Sequence, residues 1–213
     1  SVTAPPGGTV YATLSQPATF SEVDSAAAGN QLLYNVLDVM VGRRFSVGES
    51  LGLWLGGGAR VAWIRQDFSA LYDGQSANLA FVSSPIEFDG YGLRVGGEGE
   101  WKLGEHLRLF AKAFGSLVVG DFDTSLLETN GQGVTTNVSL SDHYRKVVPV
   151  CELGLGLGWQ AEAFRFRVGY ELTNWIGLVD SPDLVYDAFS SKPSRRTSDL
   201  SIDGLSLEVQ FTY

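Results

Sequence analysis

The sequence is poor in the residues that build metal centres and covalent cross-links. It contains one cysteine, Cys151, and two histidines, His106 and His143. A single thiol excludes an intramolecular disulfide, and this set of side chains is too small for a cysteine–histidine zinc site. A serine, a histidine and an aspartate can be chosen from any such chain, but no motif holds them together here. We therefore predict no metal, no cofactor and no enzymatic activity.

Basic residues and long apolar runs are scarce as well. The chain has 15 Lys and Arg against 24 Asp and Glu, a net charge of -9. This balance argues against a nucleic-acid partner, because binding to phosphates needs an excess of cations. No stretch approaches the roughly 18 consecutive apolar residues of a transmembrane helix, which excludes that kind of span. A β-barrel is not excluded, because strict alternation hides its hydrophobicity from averaged scales.

Alternation with a period of two is what the sequence has in abundance. At the C-terminus, Leu205, Leu207, Val209, Phe211 and Tyr213 alternate with small or polar residues. This pattern predicts a strand with one apolar and one polar face. A C-terminal strand that ends on an aromatic residue is typical of bacterial outer-membrane barrels, and it predicts the barrel assembly machinery as a partner.

The same alternation predicts seven strands and a weaker eighth. They lie at about 32–45, 51–68, 88–103, 107–122, 144–160, 164–178 and 200–213, with the weak strand near 9–14. Short connections at 46–50, 104–106 and 161–163 alternate with long polar ones at 69–87, 123–143 and 179–199. Short periplasmic turns opposite long outer loops are the layout of an outer-membrane barrel. We predict an all-β, antiparallel transmembrane β-barrel at 30–213, after an N-terminal segment (1–29) with the weak strand and an outer loop.

Aromatic placement favours a lipid-facing apolar surface over a soluble barrel with an apolar interior. From Tyr91 to Trp101 is ten residues, which suits a tilted strand that crosses the hydrocarbon. Aromatic residues also flank this length at both ends, as in the two girdles of a spanning barrel. The predicted membrane-interface aromatics are Phe45, Trp63, Tyr91, Trp101, Trp159, Phe164, Phe211 and Tyr213.

The opposite face of the predicted strands carries nearly balanced charges. The predicted lumen-lining residues are Asp38, Arg60, Arg94, Glu98, Glu100, Lys102, Arg108, Lys112, Glu152, Arg165, Arg167, Glu171 and Glu208. In a narrow barrel they would pair into a plug, whereas in a wider one they would line water and set ion selectivity. The predicted outer loops carry Asp67, Asp73, Glu87, Asp89, Asp123, Glu128, Asp180, Asp183 and Asp187. This acidity serves solubility or forms a vestibule that concentrates cations.

Several tracts are similar to those of a known family. They are FDGYGLRVGGEGEW (88–101), GSLVVGDFDTSLLETN (115–130), VVPVCELGLGLGW (147–159), GYELTNWIGLVDSPD (169–183) and SRRTSDLSIDGL (194–205). In their order and spacing the chain resembles the pore-forming outer-membrane protein family typified by the Legionella major outer membrane protein, particularly its planctomycete-type members. The resemblance implies pore formation in the bacterial outer membrane. Because family members are generally longer at the N-terminus, it also implies that this chain is the C-terminal part of a barrel of about 10–12 strands.

We therefore expect a porin-like protein through which small hydrophilic solutes or ions diffuse, with outer-membrane lipid around it. Two alternatives stay open. One is a closed structural or surface-interaction barrel, whose salt-bridged interior blocks flow. The other is a soluble, lipocalin-like ligand-binding barrel, which would need no detergent. A conductance measurement distinguishes the closed barrel from a porin. A requirement for detergent distinguishes an outer-membrane barrel from the soluble one.

Overall fold

The computed structural model describes residues 2–3, 10–11, 22–74, 77–161, 164–182 and 195–211, nearly all of them in β-strands. Three strands have two residues each: β1 (Val2–Thr3), β2 (Val10–Tyr11) and β3 (Glu22–Val23). The long strands are β4 (Ser25–Val47), β5 (Leu51–Gly74), β6 (Ala77–Lys102), β7 (Leu107–Asn130), β8 (Thr135–Gln160), β9 (Phe164–Pro182) and β10 (Arg195–Phe211). No helix within these residues is long and apolar enough to cross a membrane.

The long strands form one antiparallel meander. The sheet order is β1-β4-β5-β6-β7-β8-β9-β10, so each long strand pairs with the next along the chain. The sheet curls into a half-barrel. The curl brings β9 close to β4 across the concave face, where Trp175 Nε1 donates a hydrogen bond to the Tyr34 hydroxyl at 3.1 Å. The all-β antiparallel fold predicted from the alternation is confirmed.

The predicted long loops at 69–87 and 123–143 are wrong over most of their length. Residues 69–74 and 77–87 continue β5 and β6, and 123–130 and 135–143 continue β7 and β8. Polar residues suggested loops there, but these stretches also contribute apolar side chains to a small core. Its buried members are Ala70, Tyr72, Ala80, Val82 and Leu126, together with Val23 from β3. In the third stretch, 179–182 and 195–199 are strand, and 183–194 lie outside the described residues.

The N-terminal segment also differs from expectation. The weak strand predicted near 9–14 is only Val10–Tyr11, which pairs with Glu22–Val23 in a separate two-stranded sheet. Its other residues lie outside the described part of the chain. The outer loop predicted up to residue 29 is wrong at its end, because β4 already begins at Ser25. A division between 29 and 30 stays a prediction.

The sheet has two tiers that differ in which face is apolar. The short-turn tier comprises 37–47, 51–63, 91–102, 107–119, 147–160, 164–172 and 205–211, and the hairpin tier comprises 64–74, 77–90, 120–130 and 135–146. In the short-turn tier, exposed Leu93 and Val95 point outward while Arg94 lies on the concave face. In the hairpin tier, Glu87 points outward while Phe88 is buried on the concave face. Side chains therefore keep their alternation along β6, but their polarity is inverted between the tiers.

An aromatic layer fills the concave face where the two tiers meet. We define it as Tyr34, Phe88, Phe122, Tyr144 and Trp175. The Phe88 and Phe122 ring centroids are 4.6 Å apart, and Phe122 stacks on Tyr144 at 5.0 Å. Trp175 packs edge-on against Tyr34 and Phe88, and Trp175, Phe88 and Phe122 are almost fully buried. Aromatic burial of this extent is a major stabilising term, so the layer anchors the curl of the sheet.

Candidate functional site on the charged concave face

The predicted lumen-lining residues all occupy concave-face positions of the short-turn tier. Twelve of the 13 make at least one ion pair with another member of the set. Lys102, at the end of β6, is exposed and has no ion pair within the described part of the chain. The structure thus brings the set together on one face, while the role of its members as pore lining stays a prediction.

Four of these side chains form a compact central network across β4, β5, β6 and β8. Arg60 donates two hydrogen bonds to Asp38, each of 2.7 Å, and its Nη1 lies 2.5 Å from Glu152 Oε1. Arg94 bridges the same two carboxylates, with Nη1 at 3.2 Å from Asp38 Oδ2 and Nη2 at 2.6 Å from Glu152 Oε2. Bidentate arginine–carboxylate pairs are strong and directional. This network therefore fixes the distance between β4 and β8 across the concave face.

A second network lies nearer the short turns. Glu100 pairs with Arg165 and with Arg108, the latter at 2.6 Å from Arg108 Nη1. Arg167 pairs with Glu98 and lies 3.2 Å from Glu208. These side chains line a cavity of about 480 Å³ that is polar over most of its wall. One further pair, Lys112 with Glu171 at 2.5 Å, joins β7 to β9.

Glycine and aromatic residues hold these arginines in place. The Phe110 ring lies over Gly156 and Gly169, where an added Cβ would come within 2.5 and 2.7 Å of the ring. Arg167 then stacks on Phe110 at 4.0 Å from the ring centroid. Arg94 stacks on Phe114 at the same distance. Cation–π stacking positions a guanidinium without removing its positive charge, so these groups can still act on a solute.

Sequence reasoning missed Arg44, which lines the same cavity as Arg108, Arg165 and Arg167. Arg44 has the same strand parity as Asp38 on β4, so the alternation was a sufficient signal. Its neighbour Arg43 points outward and lies over the Phe45 ring at 5.6 Å. The two adjacent arginines thus occupy opposite faces of one strand.

The predicted interface aromatics take outward positions wherever the structure describes them. Phe45, Trp63, Tyr91, Trp101, Trp159 and Phe211 are exposed, and Phe164 is half-buried between Trp159 and Phe211. Tyr213 lies outside the described residues. Between them the outward face carries exposed apolar side chains, among them Leu93 at 72% and Leu205 at 79% exposure. Cys151 is a free, exposed thiol on this same face.

A polar belt borders this apolar band at the start of the hairpin tier. Arg145 binds Asp121 through two hydrogen bonds of 2.8 and 2.9 Å, and His143 contacts Asp123 at 2.7 Å. Arg65 lies 3.5 Å from Glu87. The hydrogen bonds from Arg145 lower the pKa of the Asp121 carboxyl below its ordinary value. Such a belt marks where the outward surface changes from apolar to water-facing.

The prediction of acidic outer loops is wrong for the acids that the structure describes. Asp67, Asp73, Glu87, Asp89 and Asp123 lie on strands, at exposed outward positions, rather than in loops around an opening. Glu128 lies on the concave side, but it is buried in the hairpin tier. The side chains of Asp180, Asp183 and Asp187 lie outside the described part. The described acids therefore do not form a vestibule.

The sequence from residue 9 to residue 213 matches the family described as Legionella pneumophila major outer membrane protein precursor. The chain belongs to this family. No curated protein and no solved structure gives a significant match. Family membership places the chain in the bacterial outer membrane, so the apolar outward band faces lipid and the soluble, lipocalin-like alternative is wrong.

The dimensions of the band fit this location. The ten-residue step from Tyr91 to Trp101 corresponds to about 33 Å of strand at roughly 3.3 Å per residue. Tilted by about 40°, this length covers about 25 Å, the height of the apolar band of outer-membrane barrels. The polar belt at Asp121 and Arg145 begins just beyond it.

Proposed function

We propose that this chain forms the wall of an outer-membrane channel through which small hydrophilic solutes and ions diffuse passively. The observation that carries the proposal is the short-turn tier, where charged side chains lie directly behind a lipid-facing apolar band. Arg94 and Glu98 on the concave face alternate with exposed Leu93 and Val95 on the outward face. Polar-in, apolar-out strands are the pattern of barrels that hold water inside a membrane.

The mechanism is sieving by width, combined with screening by fixed charge. The cavity of about 480 Å³ among Arg108, Arg165 and Arg167 has room for several water molecules. The ion pairs hold the charged groups against the wall, which leaves the remaining cross-section to solvent. The family and its outer-membrane location support this reading, and no catalytic step is needed for it.

A channel also needs its strand edges to be satisfied. Within the described residues, the free edge of β4 is paired only at Ser25 and Ala26, and β10 pairs only with β9. Unpaired backbone groups are not tolerated in hydrocarbon. We propose that further strands, from the same protein or from a second copy, close these edges. The edge of β10 is also the one we propose for contact with the barrel assembly machinery during insertion.

The test is conductance in planar bilayers, with the full-length protein and this 213-residue chain measured side by side. Folding is checked first by heat-modifiable migration on a gel. We expect stable single-channel steps from the full-length protein. Steps from this 213-residue chain would show that its own edges close or that copies assemble. Absence of steps from folded full-length protein would contradict the proposal.

A second candidate function is favoured by the aromatic layer. Phe88, Phe122 and Trp175 fill the concave face and leave almost no exposed surface, so they would block flow in a barrel no wider than this curl. The protein would then be a closed barrel whose hairpin tier supports contacts at the cell surface. One variant, Phe88→Ser, distinguishes the two functions. If the aromatic layer narrows a channel, the variant has a higher single-channel conductance than the wild type. If the barrel is closed, neither the wild type nor the variant conducts.

A further inference from the structure

We infer that the short-turn tier makes the channel selective for anions, which assigns a solute class that the proposed function leaves open. The inference rests on that function. Its starting point is the concave face of the short-turn tier, which carries eight cationic side chains and six carboxylates. The cations are Arg44, Arg60, Arg94, Lys102, Arg108, Lys112, Arg165 and Arg167, and the anions are Asp38, Glu98, Glu100, Glu152, Glu171 and Glu208.

The pairing pattern makes the excess cations available to a solute. Each of the six carboxylates contacts at least one Arg or Lys within ion-pair distance. No ion pair is formed by Arg44 or Lys102 within the part of the chain that the structure describes. The negative charges on this face are therefore neutralised locally, whereas two positive charges are not.

Arg44 is placed where its charge acts on a passing ion. It lines the cavity of about 480 Å³ together with Arg108, Arg165 and Arg167, against Glu98, Glu100 and Glu208. A narrow passage with low-dielectric walls focuses the field of its lining charges. An anion entering from the short-turn end thus meets four guanidinium groups, and the three carboxylates beside them are already paired with Arg108, Arg165 and Arg167.

The net charge of -9 does not oppose this field. The described acids that account for much of it, including Asp67, Glu87, Asp89 and Asp123, occupy outward positions of the hairpin tier. They are separated from the cavity by the sheet and by the length of the strands. At physiological salt the Debye length is about 8 Å, so charges farther than that contribute little to the potential in the cavity.

The experiment is a reversal-potential measurement on the full-length protein in a KCl gradient, where the two ions have nearly equal mobility. We expect a chloride-to-potassium permeability ratio above one. We expect Arg44→Gln to lower this ratio by about two-fold or more, because the uncompensated charge is removed from the cavity wall. Arg43→Gln is the matched control, because it removes the adjacent charge from the outward face and should leave the ratio unchanged.

A second measurement needs no variant. Raising the salt from about 0.1 M to about 1 M shortens the Debye length from about 10 Å to about 3 Å, so the preference for chloride should weaken in the unmodified protein. Steady current with a ratio at or below one overturns the anion inference and leaves the channel standing. Equal effects of Arg43→Gln and Arg44→Gln overturn it too. Folded protein without current overturns the proposed function, and the inference with it.

Discussion

The short-turn tier and the hairpin tier are parts of the same strands, yet their apolar side chains lie on opposite faces of the sheet. Along β6, Val95 is exposed to lipid and Arg94 faces inward, whereas farther along Glu87 meets water and Phe88 is buried. The alternation itself never changes, because successive side chains of a strand always point to opposite faces. What changes is the solvent outside: hydrocarbon around one tier and water around the other. The concave face is accordingly charged in the short-turn tier and apolar in the hairpin tier.

This difference assigns separate tasks to the two tiers. The hairpin tier has the ordinary hydrophobic core of a water-soluble protein, with Phe88, Phe122 and Leu126 buried on its concave face. The concave face of the short-turn tier buries Val118, Val148 and Val150 where it borders the aromatic layer. Beyond that border, arginine–carboxylate networks hold its strands together. Rigidity therefore comes from the hairpin tier, and solvent access to fixed charge comes from the short-turn tier.

Among substitutions that test this difference between the tiers, we expect the largest loss of stability in the core of the hairpin tier. Phe122→Ala removes a fully buried ring that packs on Phe88 and Tyr144. Truncations of this kind cost about 3–5 kcal/mol of unfolding free energy. Phe81→Ala is the matched control, because Phe81 lies in the same tier but is 38% exposed. Urea unfolding in detergent micelles measures both. Equal losses for the two variants would contradict a packed interior in this tier.

The outward face of the short-turn tier gives the next largest effect. Val95→Arg places a charge near the middle of the lipid-facing band, and should cost about 2–4 kcal/mol of folding free energy in a bilayer. Trp101→Arg places the same charge at the short-turn border and should cost only about 0–1 kcal/mol. Folding into lipid vesicles, titrated with urea, measures the difference. If both variants fold equally well, the apolar band does not face lipid.

Part of this arrangement could be predicted from the sequence because alternation is a local property. The outward position of Val95 and the inward position of Arg94 follow from parity alone. The hairpin tier could not be predicted in the same way, because inward residues as small as Ala70 and Ala80 weaken the apolar alternation on which a strand prediction depends. Its extent became visible only in the pairing of residues such as Phe81 with Thr129.

The ion-pair partners were beyond sequence reasoning for another reason. Arg60 on β5 binds Glu152 on β8, three strands away in the sheet. Which distant residues meet depends on how tightly the sheet curls, and alternation carries no information about curvature. Arg44 is the reverse case, because its parity on the predicted strand 32–45 already places it on the same face as Asp38.

A smaller effect tests whether the central network stabilises the short-turn tier as the aromatic core stabilises the hairpin tier. Glu152→Gln leaves Arg60, whose side chain is 3% exposed, and Arg94 with only Asp38 as a charged partner. Hydrogen bonds to charged groups are worth about 1.5–3 kcal/mol, so a loss in that range is expected. Glu208→Gln is the control, because the Glu208 side chain is 54% exposed and its pair should be worth less than about 1 kcal/mol. Equal denaturant midpoints for the two variants would mean that the buried network is not a stabilising element.

The smallest effect lies in the polar belt and appears only as a pH dependence. Because Arg145 lowers the pKa of Asp121 in the folded protein, the unfolded chain binds the proton more tightly. The stabilisation is therefore complete above the ordinary aspartate pKa of about 3.9, and is lost as the pH falls from there through the lower folded value. Asp121→Asn should reduce stability slightly at pH 7 and flatten the acid limb of the unfolding curve. An acid limb that is identical in wild type and Asp121→Asn would show that this ion pair does not help to fix the border between lipid and water.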